Sequence, residues 1–366
     1  MWLAWLEASD FRSYRQMRWN PDPGINVVMG ANAAGKTNLL ESVGYLSSLR
    51  SFKGVPDSAL IRIGTDRSIL RGEIRTMART TRIEVEMPKT GRRIAQINGN
   101  RLGRVTDLLG EVRAIAFLPE DLDIIKRGPS YRRNLLDSVA IQLWPGAHLD
   151  QRDYERTLRQ RNMLLKQMGR QTDPVTLEVW DERLSVAGAA VMARRAAVIN
   201  ALEERAGSAY QALAGSTTEV KIDYRSTWGA KSAGDRTGWE TALREALGQA
   251  RSNDMERRVT TVGPHRDEIG FTLDARESRI HASQGEQRTL ILALRMASHQ
   301  AVEQVTGVSP LLLLDDIFSE LDKNRSAALA RSLPVAQTFI STAREDDIDF
   351  PLQAGRGWRL ADGKLI

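Results

Sequence analysis

The chain contains no cysteine. Disulfides, thiolate metal sites and a cysteine nucleophile are therefore excluded. Histidine is almost as scarce. His148, His265, His281 and His299 are the only four, and no two have the spacing of a metal-binding pair. Long apolar runs are missing as well, none approaching the ~20 residues needed to cross a bilayer. The opening MWLAWLEASDF lacks both a basic start and a small-residue cleavage site, so no export signal is expected there. No internal repeat beyond a short heptad run and no low-complexity tract interrupts the 366 residues, a length that allows two packed units. Lysine and arginine outnumber aspartate and glutamate by 52 to 46, a net charge of +6. Nucleic acid is the obvious polyanion for such a surface, although an ordinary basic protein carries the same charge.

What is present begins with Ile25 to Leu46, INVVMGANAAGKTNLLESVGYL. Ile25 to Met29 reads as a short buried strand. Gly30-Ala31-Asn32-Ala33-Ala34-Gly35-Lys36-Thr37 fits the P-loop pattern, and Leu39, Leu40, Val43 and Leu46 have the spacing of one helix face. The glycines permit dihedrals and close approaches that a Cβ blocks. Successive N–H groups from Gly30 to Asn38 and the helix N-terminus then face phosphate oxygens. Lys36 supplies a compact positive charge for the β- and γ-phosphates, and the Thr37 hydroxyl is a Mg²⁺ ligand.

Far downstream, Leu311 to Leu314 reads as a buried strand ending in Asp315-Asp316. Acids at the carboxyl end of such a strand are where a P-loop fold handles metal and water. Asp315 is assigned to Mg²⁺, and Asp316 to orienting or deprotonating the attacking water. Between the two motifs, Ser283-Gln284-Gly285-Glu286-Gln287 stands at a helix start and resembles the signature loop of ABC-type ATPases. Ser283, Gly285 and Gln287 join the nucleotide-binding candidates, and Lys36, Asp316 and Ser283 are the catalytic ones. In that superfamily the loop completes the site of the opposite subunit. Two features depart from ABC transporters. Ser341-Thr342 stands where they carry a switch histidine, and no Q-loop glutamine occurs near Pro119-Glu120, so turnover is expected to be slow, with Glu120 the candidate replacement.

The remaining chain reads as follows. Trp2 to Ala8 suggests an edge strand. Ser68 to Asn98 alternates with a period of two, an antiparallel meander. Arg67, Arg71, Arg75, Arg79 and Arg82 lie along it with only Glu73 and Asp66 in opposition, a row able to track a phosphate backbone or simply to face solvent. Tyr131 to Ala212 is helical and arginine-rich, with Leu177, Leu184, Val191 and Val198 at heptad spacing. Ser226 to Asp235 is a loop. His265 reads as a turn residue bonded to nearby backbone, with nucleotide or DNA contact as the alternative. Arg132-Arg133 either binds phosphate or braces the junction of two units.

On these motifs, together with Pro119-Glu120-Asp121-Leu122, Arg132-Arg133, Gly263-Pro264-His265-Arg266-Asp267 and Asp315 to Asp322, the chain resembles the RecF family of bacterial recombination and gap-repair proteins along essentially its whole length. Arg127 and Leu135 depart from the family pattern, where a glycine and an aromatic are usual. The resemblance implies an α/β fold. It is a P-loop ABC-type ATPase head, related to SMC and Rad50 proteins, with an antiparallel β-subdomain and an inserted, mainly helical arm. The expected division is 1–125 and 259–366 for the head and 126–258 for the arm. It further implies a cytoplasmic, weak, DNA-dependent ATPase that uses ATP and Mg²⁺ and dimerises on ATP. Such a protein binds double-stranded DNA and single-strand/double-strand junctions, and helps RecO and RecR load RecA at gaps, in support of replication and SOS induction. The competing readings are an ATPase subunit of a membrane transporter and an SMC-like DNA tether. The helical insertion and the missing switch histidine weigh against the first, and a short arm against the second.

Overall fold

The computed structural model describes residues 1–229, 235–343, 355–361 and 363–365, so the loop expected over 226–235 lies partly outside the described residues. The chain opens with a hairpin, β1 (Trp2–Phe11) and β2 (Tyr14–Trp19), and then β3 (Ile25–Met29) feeds α1 (Lys36–Ser48). Next come β4 (Arg67–Arg75), β5 (Thr80–Pro88), β6 (Ile94–Ile97), β7 (Asn100–Arg101) and β8 (Ala114–Phe117). A helical stretch follows: α2 (Asp123–Lys126), α3 (Pro129–Leu143), α4 (Ala147–Met168) and α5 (Pro174–Ala214). After β9 (Val220–Arg225), α6 (Arg236–Arg257), β10 (Glu268–Leu273), β11 (Arg276–Glu277) and α7 (Ser278–His281), the chain reaches α8 (Gln284–Thr306). It closes through β12 (Leu311–Asp315), α9 (Lys323–Ser332), β13 (Thr338–Thr342), β14 (Gly355–Ala361) and β15 (Lys364–Leu365).

Two units result. The first comprises Met1–Leu122, Ser208–Thr217 and Arg288–Ile366, the second Asp123–Gly207 and Thr218–Gln287. The first boundary falls three residues before the expected one, Ser208–Thr217 within the expected arm belongs to the first unit, and the chain returns to that unit for good at Arg288 rather than at 259. Residues 259–287 stay with the helical unit for clear reasons. Thr260 accepts from buried Arg161 and donates to Asn162, and β10 pairs along its length with β9.

The first unit holds an antiparallel sheet, ordered β2-β1-β4-β5-β6-β7, and a sheet ordered β15-β14-β3-β13-β12-β8 that is parallel except for β15. The expected meander is thus present, but β1 is not an edge strand: it pairs with both β2 and β4. The turn between β1 and β2 is only Arg12-Ser13, too short to announce a hairpin in the sequence. Helix α1 is buried on nearly every side. Leu39, Leu40, Val43 and Leu46 share one core with Leu3, Leu6 and Val85 of the antiparallel sheet and with Leu311, Leu313 and Phe339 of the parallel one. Burying each such side chain contributes about 1.5–3 kcal/mol. A carboxylate sits in this apolar setting. Glu41 is fully buried, takes a two-pronged bond from Arg12 at 2.8 and 3.0 Å, and accepts the Ser51 hydroxyl at 2.5 Å. The β1–β2 turn is thereby fastened to α1.

The arginine row on the meander is not a free cationic track. Arg67 pairs with Glu86, Arg71 with Glu84, Arg75 and Arg82 with Glu73, and Arg79 with Glu111. The opposing acids lie mostly across the strand register, Arg71 facing Glu84 on β5 and Arg82 facing Glu73 on β4. Reading along one strand hides them.

Helix α5 is a single 41-residue helix, about 60 Å long, assigned to the second unit up to Gly207. Its heptad residues Leu177, Leu184, Val191 and Val198 are all buried. One window of α5 is long and apolar enough to cross a membrane, and more than half of that window is buried within the protein, as in a core helix. Arg161 of α4 is fully buried and pairs with Asp181 and Asp254 at 2.8 and 2.7 Å. Arg132 makes a two-pronged bond to Glu268 and reaches the carbonyls of Ile124 and Arg127, while Arg133 donates to the Asp267 carbonyl. The pair braces this unit internally. His265 bonds the Tyr154 hydroxyl at 2.6 Å and the Thr260 carbonyl at 3.2 Å, the turn role expected of it.

Burial lowers the His265 pKa from 6.5 to about 4. Between these values the unfolded chain binds a proton that the folded imidazole refuses, so stability rises with pH across the window and is complete above pH ~6.5. In urea unfolding at pH 4.5 and 7, the wild type should lose about 2–3 kcal/mol to this one residue. His265→Gln should flatten that limb, and an unchanged limb would show that the imidazole is already charged in the fold.

Candidate nucleotide site

Strand β3 ends at Met29, and the loop Gly30–Gly35 carries the chain into α1. Gly35 caps the helix with φ 110°, a left-handed conformation that glycine adopts without strain. Gly30 is required for a different reason: a Cβ there would lie 2.6 Å from the Leu360 carbonyl oxygen of β14. The Lys36 amine folds back over the loop and donates to the carbonyls of Gly30 and Ala31 at 2.8 and 3.0 Å. Burial pulls its pKa down, against the opposite pull of Asp316 and Asp315. The Tyr14 hydroxyl holds the Gly35 carbonyl at 2.9 Å, and Asn38 donates to Ser13 at 3.0 Å. No acid occupies the first turn of α1, so nothing there offsets the positive end of the helix for an anion. Beside the loop lies a cleft of about 880 Å³, with Gly30–Ala34 on one wall and Ala343, Arg359, Leu360, Ala361 and Gly363 on another. The contribution of β14 and of Gly363 after it is not legible in the sequence, because nothing local marks them as neighbours of the loop.

The sheet order decides what faces the loop. Strand β13 lies between β3 and β12, with Thr342 opposite Met29 and Ser341 opposite Asp315. The carboxyl ends of three strands therefore meet at the start of α1. The Thr37 hydroxyl donates to Asp315 Oδ1 at 3.0 Å, and the Ser341 hydroxyl donates to the same oxygen at 2.5 Å. Asp316 has φ 51°. Its N–H reaches both the carbonyl and the hydroxyl oxygen of Ser341, at 3.1 and 3.0 Å. Its carboxylate oxygen Oδ1 is buried without a hydrogen-bond partner among the described residues. The sequence motifs bring Lys36, Thr37, Asp315 and Asp316 forward. Ser341 stands out there only as the place of a missing histidine.

Burial is the largest influence on Asp315 and raises its pKa. The Ser341 and Thr37 hydrogen bonds and Lys53 act the other way, and Glu120 adds to the rise. Glu120 is thus near enough to Asp315 to be felt electrostatically. The hydroxyl of Thr37 with the carboxylate of Asp315 suits a hard, oxygen-seeking cation such as Mg²⁺. The loop N–H groups and Lys36 suit the phosphates it would accompany.

The SQGEQ loop belongs to the second unit. Ser283 N–H donates to the Glu286 carboxylate at 2.7 Å, and Glu286 N–H donates back to the Ser283 hydroxyl at 3.3 Å. This is a capping box at the start of α8, which the S-x-x-E spacing could have announced. Ser283 is exposed and Gly285 half-buried. Gln287 is placed differently from the nucleotide-facing role expected of it. It is buried, and its amide donates to the carbonyls of Ser278 and Ala282 at 3.2 Å each. It therefore ties α7 to α8 from within.

A carboxylate held at Asp315 against the cost of burial is a stability penalty in the absence of cation. Asp315→Asn should raise the melting temperature of the metal-free protein by about 1–2 °C, equivalent to about 1 kcal/mol. Differential scanning calorimetry in chelator checks this, and a fall in melting temperature would mean that the charge is already compensated.

The family model described as RecF/RecN/SMC N terminal domain matches residues 2–349. A DNA replication and repair protein RecF from Acidothermus cellulolyticus is 36% identical over 357 residues, covering 96% of each chain. One from Streptomyces avermitilis is 38% identical, covering 100% of this chain and 99% of its own. A solved structure described as the recombination mediator protein RecF-ATP in the RecFOR pathway superposes with a TM-score of 0.91 at 30% identity, covering 100% of this chain and 97% of that one. An SMC head bound to the C-winged helix domain of ScpA, at a TM-score of 0.55 and 17% identity, shares the fold alone. Full-length identity above 30% and a family match over nearly every residue agree with the P-loop, the paired aspartates and the sheet order: the chain belongs to the RecF family.

Proposed function

We propose that this protein is an ATP-dependent DNA-binding protein of recombinational gap repair. The observation that carries the reading is the meeting of Thr37 with Asp315 beside the Lys36 loop, in a chain whose relatives are named DNA replication and repair protein RecF. ATP with Mg²⁺ is the ligand these residues suit. Bound Mg²⁺ would neutralise phosphate charge and polarise the γ-phosphate. The chain's own residues divide the remaining work. The N–H groups from Gly30 to Asn38 bind the phosphates, and Lys36 exchanges its two loop carbonyls for phosphate oxygens. Thr37 and Asp315 hold the cation. Asp316, whose Oδ1 has no partner among the described residues, orients the water and takes its proton.

Ser283 and Gly285 are proposed to face the triphosphate of a second copy, so that nucleotide stabilises a homodimer and hydrolysis loosens it. Turnover is taken to be DNA-dependent and confined to this dimer, and its slowness fits the absence of a histidine at Ser341-Thr342. The paired arginines of the meander turn the search for DNA contacts to other cations of the chain. Loading of RecA with RecO and RecR, at junctions of single- and double-stranded DNA and with consequences for replication and SOS induction, is the wider role this reading assigns. The RecFOR pathway named for the solved relative supports it.

Lys36→Ala should abolish ATP binding in equilibrium dialysis. Asp316→Asn should bind ATP yet hydrolyse it about 100-fold or more slowly, and sediment as a lasting ATP-dependent dimer. Normal turnover in Asp316→Asn would remove its assigned role. Binding of gapped DNA in the presence of ATP should weaken steeply between 50 and 200 mM salt, by about 10³-fold if some six phosphates are contacted. Affinity that ignores salt would dismiss DNA as the polyanion.

A further inference from the structure

Ser341 occupies the place where a switch histidine stands in ABC transporters, and its bonds give it a different task. One hydroxyl makes two directed contacts. It donates to Asp315 Oδ1 at 2.5 Å and accepts from the Asp316 N–H at 3.0 Å. The Ser341 carbonyl accepts the same N–H at 3.1 Å. Ser341 is fully buried, and Thr37 converges on the same Asp315 oxygen from α1. A histidine could reach a phosphate. A serine on this short stem, committed to both aspartates, turns inward instead.

We infer that Ser341 is a positioning residue that sets both acids of the site with one hydroxyl: Asp315 toward the cation and Asp316 toward the water. This deepens the nucleotide reading above and rests on it. The backbone conformation of Asp316 gives the reason a fixed donor–acceptor is needed. With φ 51° the residue is in a region that L side chains seldom occupy, and such a conformation persists only where neighbours over-determine it. Two acceptors on one residue do so here. They leave the Asp316 side chain uninvolved, with Oδ1 buried and unbonded among the described residues. Asp315, by contrast, has its oxygen fixed by two hydroxyls, so its carboxylate plane is set before any cation arrives. Groups that orient a metal ligand in this way are typically worth 10–100-fold in metal affinity or activity.

The test separates orientation from folding and from the nucleotide reading itself. Three proteins are compared: the wild type, Ser341→Ala and Ser341→Thr. Affinity for ATP is measured first in chelator, where only the P-loop and Lys36 act. The half-saturating Mg²⁺ concentration for the ATP-bound state and the kcat and KM of hydrolysis are measured next. Ser341→Ala should keep the metal-free ATP affinity of the wild type, need about 10-fold or more Mg²⁺, and lose kcat by about 10–100-fold with KM for Mg²⁺-saturated ATP little changed. Ser341→Thr, which keeps the hydroxyl, should recover most of both losses. Equal Mg²⁺ requirement and kcat in Ser341→Ala and wild type would overturn the inference. So would a threonine variant as impaired as the alanine one, since size rather than the hydroxyl would then matter. Loss of metal-free ATP binding in Ser341→Ala would also overturn it, by assigning Ser341 to the fold alone. A wild type that binds no ATP at all would instead sink the nucleotide reading, which keeps the two failures apart.

Discussion

A single carboxylate oxygen, Asp315 Oδ1, receives hydroxyl bonds from Thr37 and Ser341, residues 278 and 26 positions away in sequence. Few contacts in the first unit depend on so much being right at once. The parallel register must bring Ser341 beside Asp315. Strand β13 must stand between β3 and β12. Helix α1 must leave the glycine loop at an angle that points Thr37 at the strand end. Four leucines in β12, all buried, fix the depth of the acid pair. Burial then makes the charge expensive, and the two hydroxyls offset part of that cost. A site that holds a buried charge with few partners is poised to accept a cation, and the stability it forgoes is the ordinary cost of function.

The parts of this arrangement that are legible in the sequence are the parts encoded locally. Strand, glycine loop and helix follow one another within about twenty residues, so the P-loop reads directly from spacing and residue type. LLLLDD is equally self-contained. What the sequence hides is encoded across strands. Glu84 and Glu86 are on the neighbouring strand from the arginines they neutralise, and no inspection of one strand's alternation reveals its partner's charges. The β1–β2 hairpin is hidden because two residues, Arg12 and Ser13, suffice to turn it. Gln287 is deceptive for a different reason. Its motif suggests an exposed ligand-facing amide, but its position three residues into α8 points it back at the carbonyls of Ser278 and Ala282. The expected return to the first unit at 259 is deceptive too, because the residues that follow are stitched to α4 and β9.

The second unit shows how a helical insertion with so much arginine holds together. Its buried cations are spent on internal partners. Arg161, Arg132 and Arg195 are buried and meet Asp181, Asp254, Glu268 and Asp137 at distances of 2.7–2.8 Å. Removing one member of such a set leaves an uncompensated charge and costs about 3–5 kcal/mol, whereas the intact set adds little net stability over an apolar core. Counting arginines along α4 therefore overstates the charge available to a polyanion. The apolar heptad of α5 is the stabilising spine.

The first glycine of a P-loop is commonly understood through the phosphates it admits. At Gly30, however, the space where a side chain would go is filled by the carbonyl of Leu360, a residue 330 positions later. The loop's opening residue and the last long strand are built against each other. An alanine at position 30 would therefore act as a wedge between β3 and β14. Its damage would appear first in amide exchange along that strand pair, whether or not a nucleotide were present.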